Sequence, residues 1–380
     1  MFFSTLNNES SNISPVLEQD QQRTNYRMLD SIDINHFRCF ERVSLKDLKR
    51  VNVIVGRNAS GKTALLEAIY LTLGVPALSL KVRTWRGLSN LFQVSDQPST
   101  INAIWRDYFY KFDQSNPASI VFKGSQDLAR SFIIRCEPES GVKLSQGKDK
   151  DSDELSIKSL GPLSFEWYKA SRRIGSAKPE FDGESIKIKG GPEPLPGAFF
   201  ASTQAVSQQE AANWFSELSK RREEGPIVEA LQRLFPFING LSVEAQGTQS
   251  ILHADILSLP EKIPVGLISS GVNRLIALMV AIGTQRRGIL IVDEIENGFH
   301  FKALPEIWRS LYELCKKSQV QLFASTHSQE CLEALTDIIK GNEQDFSLLR
   351  TVREDEGCIV RQFNGEKFLG ALEEEIELRS

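Results

Sequence analysis

The chain has 380 residues, 41% of them hydrophobic and 25% charged, with a net charge of −4, which is the composition of an ordinary globular protein with room for more than one domain. No stretch approaches the run of about 18 apolar residues that a membrane helix needs, and the acidic balance argues against a strongly basic nucleic-acid binder. The five cysteines, Cys39, Cys136, Cys315, Cys331 and Cys358, show no metal-ligand spacing and read as reduced thiols of a cytoplasmic protein.

Residues 1–28 are rich in Asn, Ser and Gln and lack a basic, then apolar, leader pattern. They read as a flexible N-terminal arm and not as a secretory signal. The apolar run Val51–Val55 predicts a buried strand. It leads into Gly56, Arg57, Asn58, Ala59, Ser60, Gly61, Lys62 and Thr63, a full match to GxxxxGK[ST]. The two glycines let the loop curl so that successive N–H groups face phosphate oxygens. Lys62 then reaches the β- and γ-phosphates of ATP, and the Thr63 hydroxyl is a ligand for Mg²⁺. Leu65, Leu66, Ile69 and Leu73 follow at helical spacing, with Gly74 and Pro76 as a stop signal, so the helix N-terminus points at the phosphates.

Residues 119–135, 155–168 and 185–189 have strand character, separated by polar turns. Trp85, Trp105, Tyr108 and Phe109 read as core packing in preference to base stacking. Phe199 to Gln204 looks like a strand ending in a glutamine loop, which makes Gln204 a candidate contact for Mg²⁺ or water. Residues 207–235 read as helical. The basic clusters at Arg172-Arg173 and Lys220-Arg221-Arg222 read as solvated faces.

Ile289 to Val292 form an apolar run ending in Asp293 and Glu294, as expected of a central parallel strand buried on both faces. Carboxylates at the C-terminal end of such a strand lie where open α/β sheets bind ligands. Asp293 is the candidate Mg²⁺ holder and Glu294 the candidate activator of water. A further strand from Val320 leads into Ser325, Thr326, His327 and Ser328, placing His327 as a γ-phosphate sensor.

Ile268-Ser269-Ser270-Gly271-Val272-Asn273-Arg274 resembles the ABC signature LSGGQQR, with Ser270 in place of its first Gly and Val272 in place of Gln. Ile34 to Phe40 resembles the "NFR-x-F" opening of RecF, SMC and OLD-like ATPases. Glu294 to His300 resembles the "DE-x-E-x-x-(L/F)-H" text of the OLD-like AAA group. The resemblance spans residues 31–378. It implies an α/β fold: a two-lobed ABC-type P-loop ATPase head, with a mixed central sheet flanked by helices and an antiparallel lobe I sheet, the lobe II sheet being built from both chain ends. It also implies ATP hydrolysis with Mg²⁺, and head-to-tail dimers or higher oligomers in which Ser269, Ser270 and Gly271 complete the partner's site. The linear division expected is 1–28 arm, 29–203 lobe I with the P-loop and an elaboration, 204–260 connection, and 261–380 lobe II. The gap between P-loop and signature is too short for an SMC coiled coil. Too few residues follow His327 for a TOPRIM nuclease domain, so the expected partner is a separate effector such as a nuclease, in anti-phage defence. A RecF-like clamp on DNA is the alternative, and no membrane partner is expected.

Overall fold

The computed structural model describes residues 29–74, 105–125, 128–138, 160–181, 186–202, 207–247, 249–374 and 376–378. The expected arm at 1–28, Trp85 and Gln204 lie outside the described residues.

Two large sheets organise the chain. The first is a seven-stranded antiparallel sheet in the order β2-β1-β4-β5-β6-β7-β8. Its strands are β1 (Ser31–Phe37), β2 (Phe40–Leu45), β4 (Ala118–Gly124), β5 (Leu128–Pro138), β6 (Leu160–Lys169), β7 (Arg172–Phe181) and β8 (Ile186–Gly190). The second has six strands in the order β16-β15-β3-β14-β13-β9. It comprises β3 (Val51–Val55), β9 (Gly197–Phe200), β13 (Ile289–Val292), β14 (Gln321–Ser325), β15 (Phe346–Glu354) and β16 (Gly357–Asn364). Here β15, β3, β14, β13 and β9 run parallel and β16 returns antiparallel at the edge. A small three-stranded sheet of β10 (Ile238–Gln246), β11 (Gln249–Ile256) and β12 (Ile263–Pro264) completes the strands among the described residues.

Strands β3 and β9 pair with strands from the C-terminal third, so the second sheet is built from distant parts of the chain. Residues 207–235 pack on one face of that sheet, since Ala211, Phe215, Leu218, Ile227 and Leu231 share one buried cluster with Leu275 to Ile282. A parallel strand in the middle of a sheet must be covered on both faces. The alternation along the strands divides the cover: Val51, Val53, Val55, Leu290, Val292, Leu322 and Ala324 face one cluster. Ile54, Ile289, Ile291 and Phe323 face the other, as the two-residue period of a strand requires.

On the first face lie α2 (Gln208–Lys220), α3 (Gly225–Leu234), α4 (Ser270–Thr284) and α5 (Leu304–Ser318). Helix α4 is apolar nearly all round and buried from Gly271 to Gly283 except Asn273, as a helix wholly inside a core must be. On the second face lies α1 (Lys62–Leu71), wedged between the two sheets with Leu65, Leu66, Ala68 and Ile69 in the same cluster as the antiparallel sheet. It ends where expected, and Gly74 takes the left-handed conformation at φ +87°. Trp105, Tyr108 and Phe109 are buried in that cluster, so they pack the core. Short helices α6 (Gln329–Glu333), α7 (Thr336–Ile339) and α8 (Gly365–Glu373) close the C-terminal side. Among the described residues no helix is long and apolar enough to cross a membrane.

Candidate functional site

A cleft of about 960 Å³ opens at the C-terminal ends of the parallel strands, between the two sheets. Asn58 to Ala64 of the loop and first helical turn line it, with Asp293 and Glu294 opposite and Arg38, Tyr110, Phe112 and the β15–β16 turn at its far end. The structure therefore brings together the P-loop and the paired carboxylates, which are more than two hundred residues apart in sequence.

The loop is built as its glycines require. Gly56 has φ +147° and Gly61 φ +102°, backbone conformations that residues with a Cβ rarely adopt. A Cβ on Gly56 would also lie 2.4 Å from the Thr351 carbonyl and hydroxyl oxygens. The Lys62 ammonium folds back over the loop, donating to Gly56 O at 2.7 Å and Arg57 O at 3.0 Å. Burial lowers its pKa, and Asp293, Glu294 and Glu296 oppose that shift. A buried cation above converging N–H groups is a receptor for a phosphate.

At the carboxylate end, Thr63 Oγ1 lies 3.2 Å from Asp293 Oδ2. Adjacent oxygens of an octahedral Mg²⁺ shell are about 3 Å apart for bonds near 2.1 Å, so these two atoms fit one edge of such a shell. The other Asp293 oxygen, Oδ1, accepts from the Ser325 hydroxyl at 2.5 Å, and that same hydroxyl accepts the Glu294 N–H at 2.8 Å. Ser325 thus turns the Asp293 carboxylate so that Oδ2 faces Thr63. Among the described residues no cluster of three His, Cys, Asp or Glu forms a protein-only metal site, and a hydroxyl, a carboxylate and phosphate oxygens are the hard donors that Mg²⁺ takes.

Glu294 sits at φ +50°, a left-handed conformation unusual for a residue with a side chain. Asn297 donates to its Oε2 at 2.8 Å. His327 stands beside it: its Nδ1 lies 3.3 Å from Glu296 Oε1 and 3.9 Å from Glu294 Oε1. Glu296 Oε1 also accepts the His327 backbone N–H at 3.0 Å. The imidazole is half exposed and does not line the cleft.

The signature residues are placed differently. Ser269 caps α4, accepting the Val272 N–H at 3.1 Å. Ser269 and Ser270 are exposed, and neither they nor Gly271 line the cleft of their own chain. Gly271 packs so tightly on the loop after the carboxylates that a Cβ there would lie 2.1 Å from Gly298 O. Arg274, buried to 8% exposure, donates to Asp293 O at 2.9 Å and Glu294 O at 3.3 Å. Burial lowers the pKa of its guanidinium, opposed by Asp293, Glu294 and Glu296.

Sequence reasoning did not assign roles to Ser325, Glu296, Thr351 and Arg38. Ser325 and Glu296 adjoin motifs and were open to suspicion from that alone. Arg38, which lies within the Ile34 to Phe40 motif, lines the cleft, pairs with Glu67 at 2.5 Å and Asp107 at 2.7 Å, and lies 4.5 Å over the Tyr108 ring. Thr351 has no sequence signal at all.

Comparisons with known proteins agree with this architecture. Residues 28–173 match the family profile described as "AAA ATPase domain", and residues 216–333 match that described as "AAA domain, putative AbiEii toxin, Type IV TA system". A Helicobacter pylori protein named "ATP/GTP phosphatase" is 24% identical over 370 residues, covering 89% of this chain and 96% of the relative. The RecF DNA replication and repair protein of Idiomarina loihiensis is 49% identical over 43 residues, 11% of this chain and 12% of RecF. Among solved structures, an SMC head bound to the C-terminal winged-helix domain of ScpA superposes with a TM-score of 0.53 at 11% identity, covering 90% of this chain and all of that one. A Pyrococcus furiosus SMC head with an extended coiled coil gives 0.51 at 12% identity, over 92% of this chain and all of that one.

Proposed function

We propose, for a chain that is an ABC-type ATPase related to RecF and SMC, that Mg²⁺ and ATP join two copies head to tail and that hydrolysis releases them. Lys62 and the loop N–H groups hold the phosphates, Thr63 and Asp293 hold Mg²⁺, and Glu294 orients and deprotonates the attacking water. His327, braced by Glu296, senses the γ-phosphate. Ser269, Ser270 and Gly271 act on the partner's nucleotide.

The observation that carries the switch is the coupling of α4 to the carboxylates. Arg274 bonds the carbonyls of Asp293 and Glu294, while Gly271 rests on Gly298 just beyond them. A γ-phosphate engaged at the N-terminus of α4 across the interface therefore bears on the chain's own catalytic strand end. Substitution of Ser270 and Val272 within the signature favours slow, regulated turnover. The output of such a switch is a separate effector, a nuclease or toxin, in anti-phage defence, a reading supported by the toxin-system description of the profile over residues 216–333.

The test is purification of tagged Glu294→Gln protein from its native cell with and without ATP and Mg²⁺. Retention of a stoichiometric second protein only with ATP supports the effector reading. ATP-dependent capture of duplex DNA with a steep salt dependence, and of no protein, supports instead a RecF-like clamp.

A further inference from the structure

The P-loop is held at both of its ends by one hydroxyl from a strand that the motif does not include. β15 pairs parallel to β3 up to Arg350 opposite Val55, so the next residue, Thr351, projects past the end of β3 and under the loop. Its Oγ1 donates to Val55 O at 3.1 Å, the carbonyl just before Gly56. Its Oγ1 is also 2.6 Å from Ser60 Oγ, the residue just before Gly61. A threonine hydroxyl has one proton. With that proton given to Val55 O, Ser60 is the donor in the second bond. The chain Ser60 Oγ–H to Thr351 Oγ–H to Val55 O therefore closes the loop's curl between its first and last turns. Thr351 is 2% exposed and Ser60 3%, so both bonds are made almost out of reach of solvent.

We infer that Thr351 is a positioning residue for nucleotide binding: its hydroxyl preforms the anion-binding curl of the P-loop before ATP arrives. The inference rests on ATP binding at the P-loop, which the wild-type measurement below tests separately. The packing agrees with the role. The Thr351 hydroxyl and carbonyl oxygens occupy the space that a Cβ on Gly56 would need, so strand and loop are fitted to each other there. A loop that is already curled does not spend binding energy on ordering itself, and an apparent affinity falls in proportion to the fraction of competent loop.

The experiment is ATP titration of Thr351→Val, Thr351→Ser and Ser60→Ala beside wild type, with steady-state kinetics and thermal unfolding of each. Valine keeps the volume and removes both bonds, and leaves Val55 O and Ser60 Oγ buried without their partner. We expect the Kd and KM for ATP to rise about tenfold in Thr351→Val, with kcat falling much less. Serine restores the hydroxyl and the wild-type Kd. Ser60→Ala raises Kd in the same direction, and the double variant is no worse than Thr351→Val alone, because the two residues act through one chain of bonds. A Thr351→Val protein that unfolds earlier but binds ATP with wild-type Kd makes Thr351 merely structural and overturns the inference. If Thr351→Val does not fold, an unchanged Kd in Ser60→Ala overturns it equally. Absence of ATP binding by wild type overturns instead the reading of the site itself.

Discussion

Ser325→Ala is the most informative single change near the carboxylates. The hydroxyl it removes is fully buried, donates to Asp293 Oδ1 at 2.5 Å and accepts the Glu294 N–H at 2.8 Å. A hydrogen bond to a charged group is worth about 1.5–3 kcal/mol, and the orphaned N–H adds about 1 kcal/mol or more. Without nucleotide, Ser325→Ala is therefore expected to lose about 2–4 kcal/mol in denaturant unfolding. Its Asp293 carboxylate is free to rotate away from Thr63, so the Mg²⁺ concentration for half-maximal phosphate release should rise, and turnover should fall at least tenfold at saturating ATP. Added Mg²⁺ and ATP recover part of the stability, because the metal then holds the carboxylate that Ser325 held. A Ser325→Ala protein with wild-type stability and wild-type Mg²⁺ requirement would refute the argument that this hydroxyl aims Asp293.

Further outcomes follow from particular contacts. Gly271→Ala drives a methyl group to within 2.1 Å of Gly298 O, so the first turn of α4 or the loop at Gly298 must move; overpacking of this kind costs about 1–3 kcal/mol, and ATP-dependent assembly measured by light scattering should weaken more than ATP binding does. Burial lowers the Lys62 pKa below the ordinary 10.5, and bound phosphate raises it again, so ATP affinity should be greatest below the lowered value and fall as pH rises through it; calorimetry should show proton uptake on binding there, absent in Lys62→Met. In the nucleotide-free protein the folded state binds fewer protons than the unfolded one between that lowered pKa and 10.5, so the cost of burying the charged Lys62 is full below the lowered pKa and is relieved as pH rises through this window. Trp105→Ala removes a fully buried ring packed edge-on against Phe165 at 5.9 Å, a loss of about 3–5 kcal/mol measurable by denaturant unfolding.

The parts of the site that were legible in the sequence are those encoded locally. Val51–Val55, the two glycines, Lys62-Thr63 and the helix after them occur in one continuous stretch, so spacing alone reveals strand, loop and helix. The strand ending in Asp293-Glu294 is legible for the same reason. What spacing does not carry is the order of strands. Nothing in the sequence near Phe346 says that β15 lies beside β3, on the side away from β14. Thr351 therefore reads as one hydroxyl in an ordinary strand until the pairing sets it under the P-loop, 291 residues from Ser60. The placement of β9 is hidden for a related reason: the strand is four residues long, and nothing in those residues says that it pairs with β13.

The central claim is that each nucleotide is shared between the P-loop of one copy and the signature of another. Mixing two inactive variants tests it most directly: Lys62→Met, which lacks a working P-loop, and Ser269→Arg, which blocks the signature. Each alone should release no phosphate. Mixed, they form dimers in which the intact P-loop of one faces the intact signature of the other, and ATP hydrolysis should return. If the mixture stays as inactive as its components while wild type turns over under the same conditions, the site is not shared between copies and the head-to-tail account is wrong.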